Sequence, residues 1–308
     1  ANADRQRLIV LSDIGADPDD TESMVRLMLY SSEIDIEGLI ATTSCWQPTV
    51  VQPDRIRAVI KAYGKVRGNL ALNEAGYPQA SDLLALVSEG QPKYGMAAVG
   101  KGKDSPGSDR IIQVLEEKDN RPLWISAWGG TNTLAQALYK IRHTMAPARA
   151  NRLIAKLRVY AISDQDDSGI WIRNNFPKLF YIVSPGAYDA STWGAINSVV
   201  PGINNTTISN KWLAEHIQEG HGPLGAAYPD VAYGMEGDTP SYLSLIPNGL
   251  DDPEHPNLGG WGGRYDLYKP APYDDASNNS PGGVPYAAET RPIWTNASDT
   301  YTPPVKGD

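Results

Sequence analysis

The sequence predicts an α/β fold with a mostly parallel central sheet and flanking helices. Three observations carry that prediction. Short continuous apolar runs alternate with stretches of helical periodicity from Leu8 onward. The 308 residues are 41% hydrophobic, enough to fill a substantial core. Asp13, Trp128 and Asp164 all fall at or just after the C-terminal ends of apolar runs, the edge where open α/β sheets bind ligands.

The first run, RLIVLSD from Arg7, is short and rich in branched residues, as in a strand buried on both faces. DPDDTESMVRLMLYSS then turns helical, with Asp20 or Thr21 as cap, Glu22 in the first turn, and Met24, Val25, Met28 and Leu29 on one face. IDIEGLIATT is a second strand, and QPDRIRAVIKAYGKV a second helix closed at Gly64. SDRIIQVLEEKDN is a helix, RPLWISAW a strand, and GGTNTLAQALYKIR a loop entering a helix. RLIAKLRVYAISD contains the next strand, IWIRNNFPKLF a helix or turn, and YIVSP a short strand. Beyond about Asp189 the pattern changes: SNKWLAEHIQEGHGPLGAAYP offers one helix, TPSYLSLIPNGL a partly apolar segment, and Gly, Pro, Asn and Asp dominate from Gly249. The tail reads as an irregular arm over the first body, or as the start of a further domain. Tyr265, Tyr268, Tyr286 and Trp294 give such an arm something to bury.

Composition narrows the partners. With 27 Lys and Arg against 36 Asp and Glu, the formal charge is −9, which argues against nucleic acid or an anionic membrane. No run of apolar residues is long enough to span a bilayer. The single cysteine, Cys45, excludes an intramolecular disulfide and reads as a buried, inert thiol. Aromatic usage is skewed to 16 Tyr and 8 Trp against 2 Phe, which suits surfaces that stack on sugars or bases.

The loop after the first strand holds Asp13, Asp17, Asp19 and Asp20 around Gly15, which permits a sharp turn. Clustered carboxylates repel unless a cation sits among them. The spacing leaves two readings open, a solvated, capped turn or a site for a hard cation such as Ca²⁺. Neither Cys nor His lies near enough to suggest zinc, and His143, His216, His221 and His255 form no pair at metal-binding spacing.

SDIGADPDDTESMVRLM, SAWGGTNTLAQAL, DQDDSGIWIRNNFPKLFYI and EGDTPSYLSLIPNGLDDPEHPNLGGWGGRY, in that order, resemble the nucleoside hydrolase superfamily. They resemble still more a bacterial family of nucleoside-hydrolase-like proteins often labelled cellulose-binding. The resemblance covers most of residues 8–265, so residues 1–265 are expected to form one nucleoside-hydrolase-like domain and 266–308 the arm. It implies Ca²⁺ as cofactor, with Asp13 as ligand and as the base that deprotonates water. It also implies Asp20 as a bidentate ligand, Asp19 beside it, a backbone carbonyl from Gly130 or Thr131, and Asp238 as a late carboxylate, while two residues extra to the family motif bring in Asp17, as an added ligand or in place of part of the water shell. Asn132 would cap the helix or touch ligand.

This sequence departs from the family where hydrolases grip ribose, placing Trp171 and Arg173 there, with Asn174 and Asn175 beside them. Gly237 stands where many members have His. The retained set suits glycosidic cleavage by single displacement. Glu236, Asp166 or Asp167 would be the acid for the leaving group, and Asp166 could also touch the sugar. Trp171 and Trp261 would stack on sugar faces, and Arg173 would meet a uronate. GGWGGRY would carry Trp261 and Arg264 toward the cleft. The expectation is a Ca²⁺-dependent hydrolase of a plant or algal saccharide, with a nucleoside N-ribohydrolase and a non-catalytic carbohydrate-binding protein as alternatives. Its partner would be a saccharide or other glycoside, not nucleic acid or membrane, and self-association is left open. The family's usual setting implies a periplasmic or extracellular location.

Overall fold

The strand β1 (Arg7–Ser12) is buried along its whole length at the centre of an eight-stranded sheet. The computed structural model describes residues 5–185, 192–193, 204–270 and 289–297. Side chains alternate across the sheet, so Leu8 and Val10 enter one apolar layer, and Ile9 and Leu11 the other. A strand covered on both faces must be apolar at successive positions, which is why RLIVLS reads as a continuous run.

Around β1 lie β2 (Asp35–Ala41), β3 (Val87–Glu89), β4 (Leu123–Ala127), β5 (Leu157–Ile162) and β6 (Phe180–Ser184). With β7 (Tyr265–Tyr268) and β8 (Ile293–Asn296) the order is β3-β2-β1-β4-β5-β6-β8-β7. All neighbours are parallel except β7 with β8. One layer is built by α1 (Asp19–Tyr30), α2 (Pro53–Asn73), α3 (Ala80–Leu84) and the short helices α8 (Asn210–Leu213), α9 (Gly222–Ala226) and α10 (Pro240–Leu243). The other is built by α4 (Pro106–Glu116), α5 (Asn132–Thr144), α6 (Pro147–Ala155) and α7 (Ser168–Asn175). Each fully buried Leu, Ile or Val contributes roughly 1.5–3 kcal/mol, and these two layers are the main source of stability. The chain winds outward in opposite directions from β1 and β4, so the loops after those two strands open a crevice at the switch point.

Several sequence expectations change here. Gly64 does not close α2, which continues to Asn73. A Cβ at Gly64 would sit 2.9 Å from the Cβ of Ala80, so this glycine lets α3 approach, whereas a Cβ at Gly68 would meet nothing within 4 Å. Gly68→Ala is therefore expected to stabilise by about 0.5–1 kcal/mol in urea unfolding. Gly64→Ala should gain less, because its methyl crowds Ala80. The single helix expected over 209–229 is broken into α8, a wider π-helical turn (Ala214–Gln218) and α9. Parts of the tail read as irregular are the strands β7 and β8, which extend the sheet beyond β6, and Tyr265 is buried. Tyr286 lies outside the described residues. Among the described residues, no helix is long and apolar enough to cross a membrane.

Candidate metal centre and its cavity

Asp13 directly follows β1, and its carbonyl accepts from Ala16 N–H at 3.1 Å to form a tight turn. Gly15 makes that turn at φ 101°, and the side chains of Gln52 and Arg55 occupy the space a Cβ there would need. The turn delivers Asp19 and Asp20 as the first two residues of α1, where the helix dipole favours carboxylates. Asp238 arrives from the far end of the chain, two residues before α10. One carboxylate oxygen from each of Asp19, Asp20 and Asp238 lies within 4.8 Å of the others.

Small side chains fix this cluster. Ser12 donates to Asp20 Oδ2 and Ser44 to Asp13 Oδ2, each at 2.6 Å. The Ser44 hydroxyl also accepts from the backbone N–H of Trp46, tying the turn after β2 to Asp13. Gln47 donates to the carbonyl of Ile14 at 3.2 Å and braces the acidic loop from outside. A Cβ at Gly129 would lie 3.0 Å from the Asp13 carboxyl carbon, so glycine lets the loop after β4 pass close to that side chain.

Asp13, Asp19, Asp20 and Asp238 are all at most 7% exposed, yet none has a cationic partner among the described residues. Asp13 Oδ1 and Asp238 Oδ2 are buried without any hydrogen-bond partner. Burial and mutual repulsion push Asp13 up to about 6 and Asp19 up to about 7, and push Asp20 and Asp238 well above the carboxylate range. An uncompensated cluster of this kind is costly, and orphaned acceptor oxygens are what a cation satisfies. The donor set is oxygen only and suits a hard dication such as Ca²⁺ rather than zinc. Cys45 is nearby but inert, because burial raises its thiol up to about 12.

The cluster opens onto a cavity of about 400 Å³. Its other walls are Asp17, Trp46, Trp128, Ile162, Ser163, Gln165, Trp193, Tyr233 and Gly237. None of these lining residues is Lys, Arg or His. The three non-glycine residues with left-handed backbone among those described are Ser163 (φ 53°), Tyr233 (φ 69°) and Glu236 (φ 45°). Two line this cavity and the third lies two residues before Asp238, so the backbone strain is concentrated here. Gly237 has a local reason: a side chain there would meet the Trp193 ring at 2.8 Å and Asp19 Oδ2 at 3.0 Å.

Several residues expected at the site lie elsewhere. Glu236 is claimed by Arg26, Tyr228 and Thr239, and its backbone N–H donates to Glu22 at 3.0 Å. It faces a larger, mostly apolar cavity of about 1210 Å³ that Trp261 also lines. That cavity is bigger, but its Arg26–Glu236 ion pair is already closed and it holds none of the acidic triad. Arg173 is fully buried, paired with Asp164 at 2.7 Å and Glu289 at 2.6 Å, so it has no free face for a uronate. Trp171 packs edge-on against Phe176. Asn174 accepts from Thr290 at 2.7 Å, and Asn175 donates to the Trp171 carbonyl. Arg264 pairs with Asp266.

Asp166 is buried against Ser168, and Asp167 is exposed and accepts from Met96 N–H at 2.9 Å. Neither lines the cavity. The Thr131 carbonyl accepts from Ala135 in the first turn of α5, while its hydroxyl meets Ser168. Asn132 donates to the carbonyl of Lys93 at 2.9 Å and so anchors the segment after β3. The structure thus brings together Asp13, Asp17, Asp19, Asp20 and Asp238, and adds walls that, apart from Trp128, sequence reasoning missed. Trp128 is the residue that the sequence placed at the ligand-binding edge of the sheet; Ser163 also follows a strand end and was open to inference, whereas Trp46, Trp193 and Tyr233 come from segments with no periodic signal.

Comparison with known proteins agrees with this geometry. The profile of the cellulose-binding Sde182 nucleoside hydrolase-like domain matches residues 7–265. A nucleoside hydrolase-related hypothetical protein from Saccharophagus degradans, associated with carbohydrate metabolism, is similar at 37% identity and a TM-score of 0.81. The match covers 95% of this chain and 66% of that protein, so the chain spans just under two thirds of its relative. The type III effector XopQ, solved with adenosine diphosphate ribose, and the effector XOO4466 are both 11% identical with a TM-score of 0.44. Each match covers 94% of this chain, and 88% and 87% of theirs, but likeness that weak carries no argument. No curated protein matches. The α/β architecture, the mostly parallel sheet and the profile match agree: the chain belongs to the cellulose-binding Sde182 family, within its nucleoside hydrolase-like domain.

Proposed function

We propose that this cavity holds a hard divalent cation, Ca²⁺ by its all-oxygen donors, and hydrolyses a glycosidic bond of a saccharide. One observation carries the reading. Buried carboxylates with orphaned oxygens open directly onto an aromatic-walled cavity of about 400 Å³, the size range of a small-ligand site. The relative's association with carbohydrate metabolism and the family's cellulose-binding description support a saccharide over a nucleoside.

Asp19, Asp20 and Asp238 would hold the ion, with Asp13 beside them. When bound, such an ion supplies positive charge that offsets the cluster and makes nearby water easier to deprotonate. Asp13 is the general base: Ser44 fixes one carboxylate oxygen and leaves the other to accept a proton from the attacking water. The indoles of Trp128 and Trp193 exclude bulk water and offer faces to the sugar. Glu236 is excluded as leaving-group acid by its bonds to Arg26. Asp17, half-buried at the wall and outside the triad, would serve as that acid.

The test is terbium luminescence sensitised by the cavity tryptophans, followed by product analysis on an array of oligosaccharides and nucleosides with and without chelator. Reducing sugar released only in the presence of ion is the expected result. Asp13→Asn should retain terbium binding and lose about 10²–10⁴-fold in turnover. Ion binding with saccharide binding but no turnover would replace hydrolysis by a carbohydrate-binding role. Absence of ion binding would defeat both.

A further inference from the structure

We infer that Tyr233 and Trp46 form an outer stacking subsite, which makes the cavity's ligand a neutral oligosaccharide chain entered from one end. The inference rests on the saccharide reading above and narrows it. Both residues line the acidic cavity, yet Tyr233 is 84% exposed and Trp46 37% exposed, so their rings form the outer rim of its wall, at the mouth. A tyrosine that exposed gains little from burial. It is nevertheless held at φ 69°, a conformation that disfavours every residue with a Cβ.

The surrounding chain shows how Tyr233 is kept there. Ala232 and Gly234 bridge across it, and Gly234 lies so close to the Trp193 ring that a Cβ would approach within 2.3 Å. Met235 N–H donates to the Trp193 carbonyl at 3.3 Å. The loop that lifts Tyr233 outward is thus packed onto an indole that itself lines the cavity. Trp46 is fixed as firmly, since the Ser44 hydroxyl that accepts from its N–H also donates to Asp13. The backbone at both aromatics is therefore tied to the cavity, at Trp46 through Ser44 and at Tyr233 through its neighbours on Trp193.

Their chemistry selects the ligand. Flat aromatic faces with polar edges stack on the C–H faces of pyranose rings, and neither carries charge. Five carboxylates and, among the described residues, no cationic side chain line the cavity, so one bound dication offsets only part of the negative charge and uronates, sulfated sugars and nucleotides still meet repulsion. A sugar unit at the acidic cluster would leave the next units of a chain against Tyr233 and Trp46.

Calorimetry in Ca²⁺ with neutral gluco-, xylo- and manno-oligosaccharides, from mono- to hexasaccharide, and with oligogalacturonate as charged comparison, tests this. At least one neutral series should gain about tenfold in affinity with chain length, and oligogalacturonate should bind more weakly. Tyr233→Ala and Trp46→Ala should each erase most of that gain while terbium binding persists. Tyr233→Gly should erase it too without lowering the thermal midpoint, since glycine adopts the backbone freely. No neutral binding, length-independent binding, a gain retained in Tyr233→Ala, or a preference for oligogalacturonate would each overturn the subsite. Length-dependent binding without turnover would overturn hydrolysis alone and leave the subsite standing.

Discussion

Calcium added to chelator-treated protein is expected to raise the thermal midpoint by about 4 °C at an ion concentration roughly a hundred times Kd. The folded chain would bind the ion with carboxylates that only folding brings together, Asp238 lying 218 residues after Asp20. The unfolded chain has no such site, so binding energy becomes folding energy. Asp20→Asn should behave in two opposite ways. Without ion it should be at least as stable as wild type, because one buried like charge is gone and the Ser12 hydroxyl keeps an acceptor. With ion it should lose most of the calcium increment. Calorimetric scans with chelator and with Ca²⁺ separate the two effects. An unchanged midpoint in wild type would return the cluster to a set of protonated acids.

Arg173→Ala is expected to be the most destabilising single change at any of the named positions, by about 3–5 kcal/mol. The guanidinium is fully buried between Asp164, after β5, and Glu289, just before β8, and lies over the Tyr181 ring at 5.0 Å. Truncation removes from two buried carboxylates the guanidinium that pairs with both. Urea unfolding of Arg173→Ala, alone and combined with Glu289→Gln, checks the account, since neutralising one acid should recover part of the loss. Equal stability of the single and double variants would mean that the residue acts through packing alone.

These two expectations also mark how legible the chain was. The alternation of strands and helices could be read because parallel strands covered on both faces must be apolar at successive positions, as at Leu8, Ile9, Val10 and Leu11. The acidic loop was legible for a similar local reason: Asp13, Asp17, Asp19 and Asp20 share one turn. Arg173 was not, because its partner Glu289 lies 116 residues away and a lone arginine in sequence looks the same whether it meets a ligand or a buried acid. Gly64 misled for the opposite reason. A glycine after a helical stretch resembles a stop, but this one accommodates a neighbouring helix. The aromatic walls were hidden because Trp46, Trp193 and Tyr233 sit on three separate loops, and only the fold brings them together.

The cavity's charge also fixes an order of arrival. A cavity lined by five carboxylates, on a chain of net charge −9, draws cations from solution and raises their local concentration, an attraction that weakens with ionic strength. A neutral sugar feels no such pull and arrives by unsteered diffusion. On the proposed reading the ion would load first and the carbohydrate would meet a site whose charge is partly offset, so occupancy by metal would set the ceiling on the encounter with sugar. In a medium poor in divalent ions, the supply of ion rather than of sugar would then limit how much of this protein is competent.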